Sequence, residues 1–275
     1  MARTPIQLTA GALARFERLL RHMRRRLTRQ RAVAAADRPN DADEWAQLYA
    51  ATAEPVRELV SPIAQAIANL TRPGDLVLET GCGAAAISAE LATAGRLIEL
   101  ADFSDEILRR AERLFALSKL PLPRTTLCDL TRPLPWADRS VDLSWSSGVL
   151  EHWTDEELVP IVRELARVSR RRVVSLVPYA GCFAYRWGKA VAEREGTWPY
   201  GRELPRSSLR DVFEQAGLVD VQEWTLWSEA GLNFLDFVDS EIRRSAATWF
   251  HSLPADDPLR SQQGYLLLTV GDVSG

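Results

Sequence analysis

From residue 71 onward, short apolar runs alternate with stretches of helical period. LVLE (76–79) has the length and character of a strand, and Ala84–Ala94 reads as a helix closed near Gly95. LIELAD (97–102) is a second strand. Ser104 stands at an N-cap position before Asp105 and Glu106, and the helix it opens reaches about Leu117. TTLCDL (125–130) and VDLSWSS (141–147) are the third and fourth strands. Thr154 and Glu157 form a capping box for the helix TDEELVPIVRELARVS. RRVVSLV (171–177) is a fifth strand stopped by Pro178, and a helix over Ser207–Ala216 leads into VDVQEWTLW (219–227). The chain closes with GYLLLTVG (264–271). Such alternation builds a mostly parallel sheet with helices on both faces, and the last two strands predict an antiparallel edge hairpin.

The N-terminal part has a different pattern. Leu13, Phe16, Leu20, Met23 and Leu27 make one apolar stripe on a helix over 11–31, with arginines elsewhere. Such a helix docks on its own domain or on a twin subunit; the sharper alternative is an arm for nucleic acid or a membrane surface. After the polar break at 36–43, helical pattern resumes from Glu44 to about Leu70. The expected organisation is a basic helical arm (1–40), N-terminal lid helices (41–70) and a core (71–275). Two long excursions, near 179–205 and 229–262, interrupt that core as cap insertions.

Charge sharpens this division. The arm holds ten arginines against Glu17 and Asp37, which leaves 24 basic and 35 acidic residues to the rest of the 275-residue chain. An acidic body speaks against a broad nucleic-acid surface on the core. Lys119 and Lys189 are the only lysines, an arginine bias typical of a GC-rich, bacterial genome. Cys82, Cys128 and Cys182 are too few and too scattered for a disulfide framework or a zinc site, so no metal is expected and a reducing cytoplasm is the expected location. No membrane span is expected either.

The chemistry falls at the strand tips, where such sheets bind ligands. Gly81-Cys82-Gly83 supplies a tight turn and close backbone approach, and Asp102 ends the second strand where a carboxylate holds ribose hydroxyls. Those features alone fit a dinucleotide equally well. Glu79, two residues before the first glycine, separates the readings. A carboxylate repels a pyrophosphate, whereas the sulfonium and amino groups of S-adenosylmethionine suit it.

At this point the chain resembles a known family. ETGCGAAAIS, ADFSDEILRRA, CDLTRPLPWADRSVDLSWSSGVLEHW and FEQAGL are similar to successive landmarks of the class I S-adenosylmethionine-dependent methyltransferases. The match is to the small-molecule branch of ubiquinone/menaquinone-biosynthesis type (methyltransferase type 11). The resemblance implies a Rossmann-like, seven-stranded sheet whose last strand is antiparallel and inserted beside the sixth. It also implies cofactor roles: Glu79, Gly81 and Gly83 around the methionine part, with Cys82 between them, and Asp102 on the ribose. Phe103 would pack on the adenine, Asp129 would bond its amine, Leu130 would cover the ring, and Ser146 would line the path to the sulfonium. Thr80 and Ala84-Ala85 depart from the usual pattern, and alanine makes the loop less permissive than glycine would.

The expected reaction is methyl transfer to an O, N or C atom of a small aromatic or amphipathic metabolite. His152, just after the fourth strand, is the candidate base, with Glu151 beside it to orient the loop. Tyr179, Tyr185, Trp198 and Tyr200 of the first insertion, with Trp45, are expected to wall the acceptor pocket, and Tyr49 to close over the cofactor as part of the lid. The Asn/Asp-Pro-Pro-aromatic motif of nucleic-acid amino-methyltransferases is replaced by SSGVLEHW. The alternatives are an RNA or protein methyltransferase docking through the arm, and a non-catalytic relative that only binds the cofactor. A homodimer through the N-terminal helix is a further expectation.

Overall fold

The computed structural model describes residues 42–48, 54–254 and 256–274. The expectations for the arm and for Tyr49 lie outside them. Two short helices, α1 (Ala42–Leu48) and α2 (Pro62–Leu70), precede the sheet. Residues 54–61 between these helices are non-helical, and α2 starts with Ser61 as N-cap and Pro62 in its first turn.

Seven strands follow: β1 (Leu76–Thr80), β2 (Leu97–Asp102), β3 (Arg124–Leu127), β4 (Val141–Ser147), β5 (Ser169–Pro178), β6 (Leu218–Leu226) and β7 (Leu266–Val273). Their order is β3-β2-β1-β4-β5-β7-β6. β1 to β5 run parallel, and β7 runs antiparallel between β5 and β6. The final hairpin therefore forms, with β6 as its edge strand and β7 inside the sheet. The chain reverses direction about β1, and the C-terminal ends of β1, β2 and β4 meet there.

Period-two alternation explains why helices cover both faces. Val77, Leu100, Leu143 and Leu176 point to the layer of α2, α3 (Ala86–Thr93) and α4 (Asp105–Leu117). Their chain neighbours Leu78, Ala101 and Val177 point to the layer of α5 (Asp155–Val168) and α7 (Arg210–Gln215). The Thr154–Glu157 capping box closes the start of α5 in both directions.

Local chemistry accounts for three departures from the expected elements. α3 begins at Ala86 because Ala85 stands in the left-handed region at φ 53°. Ser104 occupies the N-cap of α4 without a side-chain cap, and its N–H instead donates to Asp102 Oδ1 at 3.0 Å. β3 ends at Leu127, since the Asp129 carboxylate turns the chain by accepting from the Thr131 N–H and hydroxyl, each at 2.8 Å. The expected cap insertions contain α6 (Phe183–Glu195), a 3-10 turn (Ser228–Phe234), α8 (Ser240–Ser252) and α9 (Pro258–Gln262).

Candidate active site

The β1–α3 loop is built by backbone bonds. Gly81 and Cys82 donate to the Ala101 carbonyl at 2.8 and 3.2 Å, and Gly83 donates to Asp102 Oδ2 at 3.3 Å. Gly81 has φ +66°, and a Cβ there would lie 2.5 Å from Val149 Cγ2. Only glycine lets this loop pass under the β4–α5 segment.

Beside the loop is a cavity of about 470 Å³. Gly81, Gly83, Asp102, Phe103, Asp129 and Leu130, all expected at the cofactor, line it, as do Trp45 and His152. Phe103 is 38% exposed at its edge. The charged groups of the lining are Asp102 and Asp129; no lysine or arginine is among its described residues. Burial raises the Asp102 carboxyl above its usual range, opposed by N–H donors from Ser104, Gly83, Phe103 and Cys82.

Glu79 and Cys82 lie behind the lining rather than in it, because the β1 tip and the loop turn these side chains into the protein. Both are buried. Glu79 Oε2 and the Ser88 hydroxyl have no hydrogen-bond partner, and burial, with Asp102 adding repulsion, pushes the Glu79 carboxyl up to about 8. Burial likewise pushes the Cys82 thiol well above its ordinary range. Ser146 is also fully buried behind the cavity, its hydroxyl without a partner. An acidic cavity over a buried, unpartnered carboxyl has the wrong charge for a pyrophosphate and the right one for a compact cation.

Residues 77–172 match the family model described as a methyltransferase domain. Over those residues the chain has a methyltransferase domain. Over 118 residues, 42% of its length, it is 28% identical to the magnesium-protoporphyrin O-methyltransferase of Synechocystis sp. (strain ATCC 27184 / PCC 6803 / Kazusa), and it spans 49% of that relative. Two solved structures share the fold. The magnesium protoporphyrin IX methyltransferase of Synechocystis PCC 6803 with bound SAH superposes with a TM-score of 0.51 at 18% identity, covering 90% of this chain and 93% of that one. A SAM-dependent methyltransferase from Thermotoga maritima gives 0.54 at 14%, covering 84% and 94%.

In the methyltransferase domain, β4 delivers His152 on a 3-10 turn (Leu150–His152). Its Nδ1 lies 2.6 Å from the Arg202 carbonyl. A carbonyl only accepts, so the proton sits on Nδ1 and Nε2 is left as the acceptor, without a partner in the protein. Burial lowers the imidazole below its usual range, and the Lys189 ammonium adds to this against the Arg202 and Gly148 carbonyls. His152 meets Trp45 edge-on at 5.4 Å.

Glu151 faces away from the cavity into the cap. Its carboxyl is buried and held well above the ordinary range, first by burial and then by the Glu203 carboxylate. Its carbonyl accepts from the Leu204 N–H at 2.8 Å. The expected acceptor aromatics are likewise placed apart from the first cavity. Tyr185 is fully buried and donates to the Glu203 carboxylate. Trp198 and Tyr200 line a second cavity, and Tyr179 packs at the junction of core and cap. Trp45 joins the two regions, stacking on Tyr200 at 6.4 Å.

Gly148, Val149 and Trp153 line the first cavity as well, and the sequence reading did not single them out. The signal was present in SSGVLEHW, a glycine turn at a strand tip with apolar neighbours. Arg202 carried no comparable signal, because its contribution is a backbone carbonyl.

Proposed function

We propose that the chain binds S-adenosylmethionine in the first cavity and transfers its methyl group to an O, N or C atom of a small, aromatic or amphipathic acceptor. One observation carries the reading: a glycine loop at the strand tips opens on a cavity whose charged groups are all acidic. Bound S-adenosylmethionine supplies a methyl group on a cationic sulfur, already activated for displacement. Gly81 and Gly83 would present backbone to its methionine part, with Cys82 as small filler and Glu79 as the counter-charge beneath. Asp102 would take the ribose hydroxyls. Phe103 and Leu130 would hold the adenine faces, Asp129 its amine, and Tyr49 would close over it. Ser146 would sit behind the reacting end.

Nε2 of His152 would accept the acceptor's proton, and Arg202 would hold the imidazole in the required tautomer. Glu151 would position that turn through its backbone. The deciding experiment is methyl-group transfer from labelled cofactor across an acceptor panel, alongside calorimetry with S-adenosylhomocysteine and NAD. Preferential NAD binding would sink the reading. For the base, His152→Ala should lower turnover by about 10²–10⁴-fold with cofactor affinity nearly unchanged, and remove the acid limb of the pH–rate profile. Full turnover with an unaltered limb would remove His152 from the reaction.

The same reading places the arm at 1–40, the lid at 41–70 and the core at 71–275, with insertions at 179–205 and 229–262 forming the acceptor cap. It assigns the arm to self-association through Leu13–Leu27, a cytoplasmic, bacterial setting, and no nucleic-acid partner. Among the described residues no helix is long and apolar enough to cross a membrane. Deleting residues 1–31 should change the solution mass and spare S-adenosylhomocysteine affinity. Salt-dependent RNA retention that vanishes with the arm would instead favour a nucleic-acid substrate.

A further inference from the structure

The cap and the core meet in a buried polar cluster around Glu203, a residue that lines neither cavity. The cluster begins on α6, where Tyr185 and Lys189 stand one helical turn apart and so share a face. Both are buried, and both approach one oxygen. The Tyr185 hydroxyl donates to Glu203 Oε1, and Lys189 Nζ lies 3.8 Å from it, while also pairing with Glu193 at 2.9 Å. The Glu203 side chain itself is 5% exposed. Burial raises its carboxyl above the ordinary range, opposed by the Tyr185 hydroxyl and the Lys189 ammonium. An apolar side chain of similar size would fill this space without that desolvation cost, so packing alone does not account for a carboxyl here.

Tyr185 is held from behind. Its ring meets Phe234 at 5.2 Å and Tyr265 at 5.4 Å, both edge-on. A Cβ at Gly188 would clash with the Phe234 carbonyl, so only glycine lets α6 come this close to the 3-10 turn. Trp227 keeps a left-handed φ of 65°, costly for a non-glycine residue, and its carbonyl accepts from the Ala230 and Tyr265 N–H groups. Tyr265 is thereby fixed in turn.

The consequence lies one peptide bond away. The Arg202 carbonyl belongs to the planar unit that joins Arg202 to Glu203, so a fixed Glu203 fixes the direction of that carbonyl. His152 Nδ1 lies 2.6 Å from it. On the other side of Glu203, the Leu204 N–H donates to the Glu151 carbonyl at 2.8 Å, within the same 3-10 turn as His152. The turn is therefore held at two points by residues 202 and 204, and the side chain between them ties both to α6.

We propose that Glu203 is a positioning residue for His152: anchored by Tyr185 and Lys189, it aims the Arg202 carbonyl so that the imidazole proton stays on Nδ1 and Nε2 stays an acceptor. Control of the tautomer stands on these contacts alone. Its effect on proton removal from a methyl acceptor rests on the methyl-transfer reading above.

The test is nitrogen-15 NMR of the imidazoles in the full chain without ligand, at about pH 8, where an imidazole of lowered pKa is neutral. The chain has three histidines, His22, His152 and His251, and His152→Asn assigns the signal. The unaltered chain should show a protonated Nδ1 and an unprotonated Nε2 at His152. Glu203→Ala and Tyr185→Phe, the second of which keeps the ring in place, should both move the two nitrogen shifts toward their tautomer average. Leu232→Ala, a truncation of a buried side chain elsewhere in the 3-10 turn, should loosen the cap without moving them. With a competent acceptor, Glu203→Ala should lower kcat by about tenfold and change S-adenosylhomocysteine affinity by less than about twofold. Unmoved shifts in both variants, or an equal movement in Leu232→Ala, would overturn the proposal. Moved shifts with unchanged kcat would uphold the tautomer control and remove His152 as the base; a chain that ignores S-adenosylhomocysteine would end the methyl-transfer reading and leave the NMR result to decide this one.

Discussion

Gly81→Ala should damage this protein in two separable ways. The first is conformational: at φ +66° a residue with a Cβ costs about 1–2 kcal/mol more than glycine. The second is steric. The new Cβ would lie 2.5 Å from Val149 Cγ2 and 3.3 Å from Cγ1, whereas carbons pack comfortably at about 3.5 Å or beyond. Relieving that overlap by shifting the loop or the β4–α5 segment should cost about 1–3 kcal/mol, as overpacking usually does. The sum is about 2–5 kcal/mol, a large part of the stability of an ordinary domain.

Val149→Ala separates the two. It removes both Cγ atoms and leaves Val149 Cβ 3.5 Å away, an ordinary contact. The double variant should therefore be less destabilised than the sum of the single ones by about 1–3 kcal/mol, while the conformational cost persists. Urea unfolding without ligand measures all four corners of the cycle. Strict additivity, or a Gly81→Ala loss below about 0.5 kcal/mol, would refute the claim that this glycine is required by its φ and its neighbour.

Asp102→Asn keeps the side-chain size but turns one of two accepting oxygens into an NH2 that faces the Gly83 or Ser104 N–H, so S-adenosylhomocysteine affinity should fall by about 1.5–3 kcal/mol in calorimetry and folding stability by about 1–3 kcal/mol in urea unfolding. Glu79 should leave a pH signature. Its folded carboxyl titrates at about 8 against an ordinary 4.5, so its contribution to stability is full below 4.5 and is lost as pH rises to about 8. The slope is at most about 1.4 kcal/mol per pH unit. Glu79→Gln should flatten that part of the curve, and an unchanged slope would show that the carboxyl titrates normally. If the cofactor's cation is what Glu79 awaits, binding at pH 7 should release up to about one proton, and the variant should release less.

The parallel sheet was legible because its strands are buried on both faces and read as short apolar runs between glycine turns. The lining at Gly81, Gly83, Asp102 and Asp129 was legible for a related reason: the strand tips converge in any such sheet, so position along the chain implied position in space. The cap was not. Tyr185, Trp198 and Tyr200 were expected together on one acceptor wall, yet composition cannot say that one ring sits fully buried against Glu203 while two others wall a separate cavity. That depends on Gly188 and Trp227, whose backbone roles appear only once α6 and the 3-10 turn are packed. Ala85 shows the limit in the other direction. Alanine disfavours the left-handed region, and the loop bonds hold it there regardless.

Between the two cavities runs one strap, residues 202–206, and it ties the candidate base to the cap. The Arg202 carbonyl sets the His152 tautomer, the Leu204 N–H holds the Glu151 carbonyl, and the Arg206 guanidinium bonds Asp155 and the Trp153 carbonyl. The Glu203 carboxylate, between Leu204 and Arg202, takes the Tyr185 hydroxyl and faces Lys189. Trp198 and Tyr200 wall the second cavity, and Tyr200 is two residues from the start of this strap. The first cavity is therefore connected to the second by backbone bonds as well as by the Trp45 stack. On that geometry the imidazole is aligned by the segment that carries the acceptor-side wall, and a loosened cap would cost base alignment before it cost cofactor affinity.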